Sequence, residues 1–264
     1  MRPLVYTCVL GGYDRVFPPI RPEPGLDHVI FTDNASLKVP GWRSEVVDMS
    51  RFTSVRKANR YYKMLAHRVL PEYDSSLYVD GNVRLLGKSS ELFQRLHKGD
   101  TAMVLFRHGR RASVTEEIAK CLELGKIADP AMVQAEVAAH RAEGFPDDRG
   151  LVEATILLKN HRHPALDPAM ALWWEQFERF GSRDQFSLPY VLWKTALPVQ
   201  YFDFGFREPN SWFGVYPHRG AANVRPAYAD LSARAYGSRL HWLALKVWQA
   251  VRALRRAVRR GLRT

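Results

Sequence analysis

The sequence predicts an α/β protein whose buried strands deliver polar side chains to one edge of a sheet. Three observations carry this. Apolar runs rich in strand formers stop abruptly on polar turns at Leu4–Leu10, His28–Asp33 and Ser76–Asp80. Further along, the apolar period changes to that of a helix at Ser54–Leu70, Ser113–Leu124 and Pro130–Glu143. A further apolar run, Gly150–Leu158, carries a carboxylate at Glu153 that needs a reason to be buried.

Each element follows from local chemistry. Leu4–Leu10 reads as a first buried strand running into Gly11 Gly12 Tyr13 Asp14, where glycine lets the backbone approach a ligand. His28–Asp33 repeats the design, and Asp33 is placed to meet a ribose or base. Pro18, Pro19, Pro22 and Pro24 mark the extended loop between them, and Trp42–Val47 reads as a short third strand. The helix Ser54–Leu70 has Val55, Tyr62, Leu65, Ala66 and Val69 as its inward stripe, ended by Pro71. Beside that stripe Arg56, Arg60, Lys63 and His67 recur at four, three and four, a basic rail suited to phosphates or simply to solvent.

The stretch that organises the chain is Leu77 Tyr78 Val79 Asp80 Gly81 Asn82. A buried strand ends there on a tight bend that brings the Asp80 and Asn82 oxygens near one point. Oxygen ligands at the carboxyl end of a strand suit a hard divalent cation, and ligands of open α/β sheets bind outside those ends. Asp-Gly-Asn is equally an ordinary turn. After Glu91–Leu96, a short helix, and the strand Thr101–Phe106 comes Arg107 His108 Gly109 Arg110 Arg111, either a phosphate or acceptor contact or an exposed loop. Glu116 and Glu117 suit the first turn of their helix. Ala169–Phe180 reads as an aromatic helix leading to Ser182 Arg183 Asp184 Gln185, which opens the helix Phe186–Lys194. His218, after Pro217, is a late histidine able to complete a metal shell or to sit on the surface.

The 264 residues show no Pro- or Ser/Gly-rich linker and no repeat, and 46% hydrophobic with 25% charged residues excludes wholesale disorder. Cys8 and Cys121 have no pair spacing, so buried thiols in a reducing compartment are expected rather than a disulfide or zinc site. The amino-terminal apolar run is too short for a signal-peptide core, and no stretch approaches the roughly 20 apolar residues of a spanning helix. A cytoplasmic location is expected.

The net charge of +12 is mainly a property of the tail. From Arg239 onward there are eight Arg or Lys residues and no Asp or Glu. Leu240, Leu243, Val247, Val251, Leu254 and Val258 recur there at threes and fours, with Trp242 and Trp248 beside them. That is a basic amphipathic helix, expected either to lie on an anionic membrane surface or to pack on the domain with its arginines solvated. Nucleic acid is not an expected partner, because the body of the chain lacks basic-aromatic interleaving. The expected division is a domain over 1–230 and a tail helix over 231–264.

Four pieces, Tyr6-Thr7 with Gly11 Gly12 Tyr13 Asp14, the helix Arg60–His67, Tyr78–Asn82 and Ser182–Gln185, resemble in order and content the TOD1/MUCI70-type glycosyltransferase-like family. That family was formerly a domain of unknown function, with plant Golgi and many bacterial members, of which this chain resembles a bacterial one. The resemblance spans roughly residues 4–195. It implies a GT-A type fold, a Rossmann-like mixed sheet flanked by helices, that binds a nucleotide-sugar with a divalent cation, manganese or magnesium. Carried over by position, Asp80 and Asn82 hold the metal and diphosphate, Arg60, Lys63 and His67 line the donor side, and Asp184 with Gln185 meets the donor sugar or acceptor hydroxyl. Read from their own positions, His218 is a further candidate metal ligand, and Thr7, Gly11, Gly12, Tyr13, Asp33 and Gly81 are candidate donor contacts beside Asp80 and Asn82. Asn82 stands where many related transferases carry a second Asp, which weakens the hold on a cation.

The implied activity is metal-assisted transfer of a sugar from a nucleotide-sugar to a polysaccharide or lipid-linked glycan, by an enzyme peripheral on the inner face of the cytoplasmic membrane. An inverting reaction needs a carboxylate base, and Glu153 and Asp184 are both available. The rival readings are a metal-dependent nucleotidyl- or phosphotransferase and a non-catalytic nucleotide-sugar or glycan binding module.

Overall fold

Strands β1 (Pro3–Val9), β2 (Asp27–Thr32) and β3 (Arg43–Val46) pair in parallel, and β4 (Ser75–Val79) joins β1 on its other side. The sheet continues through β7 (Val152–Asn160), β6 (Met103–Arg107) and β8 (Val199–Tyr201), giving the order β3-β2-β1-β4-β7-β6-β8. Only β7 runs antiparallel to its neighbours. A small second sheet pairs β5 (Val83–Leu85) with β9 (Phe213–Val215). This computed structural model describes residues 2–207, 210–219, 231, 234, 235 and 237–261, with 252, 253 and 255–261 described by backbone alone.

Helices α1 (Val55–Val69), α5 (Leu166–Phe180) and α6 (Asp184–Thr195) cover one face of the large sheet, burying Tyr6, Tyr78, Met64, Leu105, Leu157 and Trp173 between them. The other face carries Val5, Leu77, Val79, Val104, Ile156 and Leu158, covered by α2 (Ser90–Phe93), Phe202, Phe206 and Phe213. Two covered faces are why these strands read as unbroken apolar runs. The arrangement is the Rossmann-like mixed sheet flanked by helices expected of a GT-A type fold. Helices α3 (Val114–Glu123) and α4 (Pro130–Ala142) begin on Ser113 and Asp129, whose side chains accept from the amides of Glu116 and Met132.

The structure corrects several expectations. Val55 is exposed rather than inward, and the buried face of α1 is Ala58, Tyr62, Lys63, Met64, Leu65 and Ala66. Helix α1 also breaks at Leu65, with φ −110° and ψ 19°. Strands β8 and β9 had no clear signal, since each is three residues long and takes its pairing from distant partners. Both cysteines are free and buried, as expected. The tail forms α7 (Arg239–Gly261), while the expected boundary at 230 lies outside the described residues.

Candidate active site

A cleft of about 710 Å3 opens at the carboxyl ends of β1 and β4, beside the start of β7. Its walls come from α1, the loop before α4 and the start of α6. The β1 and β4 turns meet closely here. A Cβ on Gly81 would stand 2.4 Å from Val9 Cγ2 and 3.1 Å from Asp14 Cβ, so only glycine lets the Asp80 turn pack against the loop after β1. Gly11 and Gly12 both have positive φ, +61° and +62°, and the Gly11 amide donates to Asp33 at 2.9 Å.

Asp184 is the electrostatic centre. It is buried at the first turn of α6, where Lys63 Nζ lies 2.6 Å from Oδ2 and Arg60 Nε 3.1 Å from Oδ1. Burial alone would raise its pKa, but Arg60 and Lys63 overcome that and hold it well below the usual carboxylate range. Trp173, fully buried on α5, donates its indole N–H to the Asp184 carbonyl at 2.9 Å and so fixes the start of α6. Gln185 donates to the Val152 carbonyl at 3.1 Å and also lines the cleft.

Asp80 is half-buried. Its Oδ1 accepts from the Tyr78 hydroxyl at 2.7 Å and lies 3.6 Å from Lys63 Nζ, so Lys63 bridges Asp80 and Asp184. Opposite, His218 Nδ1 lies 3.0 Å from Asp14 Oδ1; that hydrogen bond, opposed by burial and helped by the charges of Asp14 and Asp80, raises the His218 pKa. A carboxylate on Nδ1 is the arrangement that presents Nε2 to a metal. Asp80 and His218 therefore suit a hard cation. Among the described residues no three His, Cys, Asp or Glu side chains stand close enough to form a cage. A cation here would take its remaining ligands from substrate oxygens and water.

The expected residues divide into two groups. Tyr13, Arg60, Lys63, Asp80, Gly81, Asp184, Gln185 and His218 line the cleft together. Asn82 does not: it is buried, and its amide donates to the Tyr216 carbonyl at 2.7 Å, tying the turn to the segment that carries His218. His67 leaves the basic rail because the break at Leu65 falls between it and Lys63; it pairs with Asp167 at 2.8 Å. Glu153 sits away from the cleft with His108 at 3.6 Å and Arg207 at 3.5 Å, so it is a member of a charge cluster rather than a base. Thr7 is buried inside β1, and Asp33 braces the glycine turn. Lining residues that carried no separate expectation include Asp14, Asn59, Lys126 and Arg183. The signal for Asp14 was its place directly after Gly11 Gly12 Tyr13; Asn59 had none, since its donation to the Cys8 carbonyl at 2.7 Å is a tertiary contact.

The family model described as TOD1/MUCI70, glycosyltransferase-like domain, matches residues 26–209. That match covers the Asp80 turn and Asp184 but begins after the glycine turn and ends before His218. A probable hexosyltransferase, MUCI70 of Arabidopsis thaliana, is 28% identical over 186 residues, which is 67% of this chain. The chain spans 30% of the length of that relative. Among solved structures, mouse xyloside xylosyltransferase 1 in its apo form is 10% identical with a TM-score of 0.47, covering 88% of this chain and 92% of that one. The galactosyltransferase LgtC with donor and acceptor sugar analogues is 12% identical with a TM-score of 0.45, covering 90% and 81%. With a family match across well over half of its length, this chain belongs to the TOD1/MUCI70 glycosyltransferase-like family.

Proposed function

We propose that the cleft transfers a sugar, by the name of the Arabidopsis relative a hexose, from a nucleotide-sugar to a hydroxyl of a polysaccharide or lipid-linked glycan. The observation that carries this is the Lys63 bridge between Asp80 and Asp184 in the cleft of a glycosyltransferase-like domain. Glycosyl transfer needs a diphosphate leaving group to be neutralised as it departs. Arg60 and Lys63 supply positive charge in the cleft wall. A manganese or magnesium ion held by Asp80 and His218 would supply further neutralisation.

Asp184 is held ionised by two cations, which makes it a poor proton acceptor and a good partner for a sugar hydroxyl. We therefore assign Asp184 and Gln185 to orienting the donor sugar. Asp14 acts through His218. Tyr13, 65% exposed at the cleft mouth with its ring 5.2 Å from that of His218, is placed to stack on the base.

The tail supports the acceptor's location. On α7, Leu240, Leu243, Val247, Val251 and Leu254 are all exposed, and its first turn carries no acidic residue. No helix among the described residues is long and apolar enough to cross a membrane. An exposed apolar stripe among arginines suits the interface of an anionic bilayer, which would bring a cytoplasmic enzyme to a lipid-linked acceptor.

The test is transfer from a panel of nucleotide-sugars with and without manganese, in wild type and Asp80→Ala. Transfer that falls at least about a hundredfold in a folded Asp80→Ala protein supports the reading. Nucleotide turnover without sugar transfer would point to a nucleotidyl- or phosphotransferase. Donor binding without turnover would point to a binding module, a reading that gains from Asn82 being turned to Tyr216.

A further inference from the structure

Beneath the cleft, between the sheet and α1, lies a lysine that the reaction above does not use. Lys159, in the middle of the sheet on β7, is fully buried and forms no ion pair among the described residues. Its ammonium donates to the Tyr6 hydroxyl at 2.7 Å and to the Lys63 carbonyl at 2.9 Å, and lies 5.3 Å from the Tyr6 ring centre. The Tyr6 hydroxyl donates to the same carbonyl at 2.9 Å. Burial, and then the like charge of Lys63, pull the Lys159 pKa down to about 7.

A buried cation without a counter-charge is costly, so its place in the sheet asks for a compensating role. Its partner is informative. The Lys63 carbonyl lies just before the break in α1 at Leu65, and the Lys63 side chain is the one that bridges Asp184 and Asp80. Two donors from the sheet thus grip the main chain of the residue whose ammonium organises the cleft. The same break sends His67 away to Asp167.

We propose that Lys159 is a positioning residue: with Tyr6 it anchors the Lys63 carbonyl at the break in α1 and so fixes the Lys63 ammonium between Asp184 and Asp80. Its value for catalysis rests on the donor-binding reading above, but the anchoring itself does not. The test reads Lys63 directly, by NMR of protein labelled with 15N at the lysine ammonium groups. Lys63→Met identifies the Lys63 signal, which is visible in wild type because the ammonium is buried and bonded to Asp184.

Tyr6→Phe removes one hydroxyl and keeps the ring, and should shift the Lys63 signal. Lys159→Met should shift it further or broaden it to loss. Leu158→Ala, on the opposite face of the same strand, is the control for general loosening of the core and should leave the signal in place. An unmoved Lys63 signal in Tyr6→Phe and Lys159→Met would overturn the proposal, as would an equal shift in Leu158→Ala. Should Lys159→Met fail to fold, Tyr6→Phe decides alone. Failure of every nucleotide-sugar to bind would sink the donor reading and leave the Lys63 result standing.

Discussion

Asp184 is where two cations from α1 meet, so Asp184→Asn leaves Arg60 without its ion-pair partner and Lys63 with Asp80 alone at 3.6 Å. Breaking a buried pair from one side costs about 3 kcal/mol or more, and the expected result is a lower urea midpoint together with loss of donor binding. Gly81→Ala acts differently. Its new methyl meets Val9 and Asp14, so it should cost roughly 1–3 kcal/mol and displace the Asp80 turn; a melting curve beside a donor-binding measurement checks both. Residue types at the cleft were legible where a strand ended abruptly, as at Asp80, or where a charged cluster opened a helix, as at Asp184. Asn82 and Glu153 are not among the residues lining the cleft, because a one-dimensional pattern does not say which way a side chain turns. Asn82 looks from the sequence like a ligand, and in the fold it spends its amide on Tyr216.

Among the elements, α4 meets the turn between α5 and α6 through Glu136, which is buried and accepts from the Ser182 hydroxyl at the edge of the cleft. Burial, only partly offset by that hydrogen bond, raises its pKa to about 7. Below pH 4.5 the carboxyl is protonated folded or unfolded and has no effect on stability. Between about 4.5 and 7 the unfolded chain loses the proton and the folded one keeps it, so stability falls as pH rises. The loss levels off above 7 at roughly 3 kcal/mol. Glu136→Gln should flatten this dependence; urea midpoints of both proteins at pH 5 and pH 8 check it, and an unchanged slope would remove Glu136 from the account. Helices α1, α3 and α4 were readable because each has a side-chain cap, Ser54, Ser113 and Asp129, ahead of its period. The break in α1 was not, because it depends on Tyr6 and Lys159 arriving from two other strands.

For the whole molecule, the sheet order and the helices on both faces place the cleft at one edge, and the strand runs announced that architecture. The short strands β8 and β9 were silent, having too few residues to show a period. No described side chain of α7 lines the cleft. Deleting 239–264 should abolish binding to vesicles containing phosphatidylserine, read by co-sedimentation, and leave nucleotide-sugar affinity unchanged; full retention on vesicles would place α7 elsewhere.

The proposed function requires that the cleft bind a nucleotide-sugar through Asp80, Lys63 and Asp184. A thermal-shift screen of wild type and Asp80→Ala against nucleotide-sugars and nucleoside diphosphates, with and without manganese, tests it most directly, since a ligand of the native state must raise the melting temperature. The expected result is a rise with one class of nucleotide-sugar that is lost in Asp80→Ala. A folded wild-type protein whose melting temperature moves with none of them, or an Asp80→Ala protein that responds as wild type does, would contradict it.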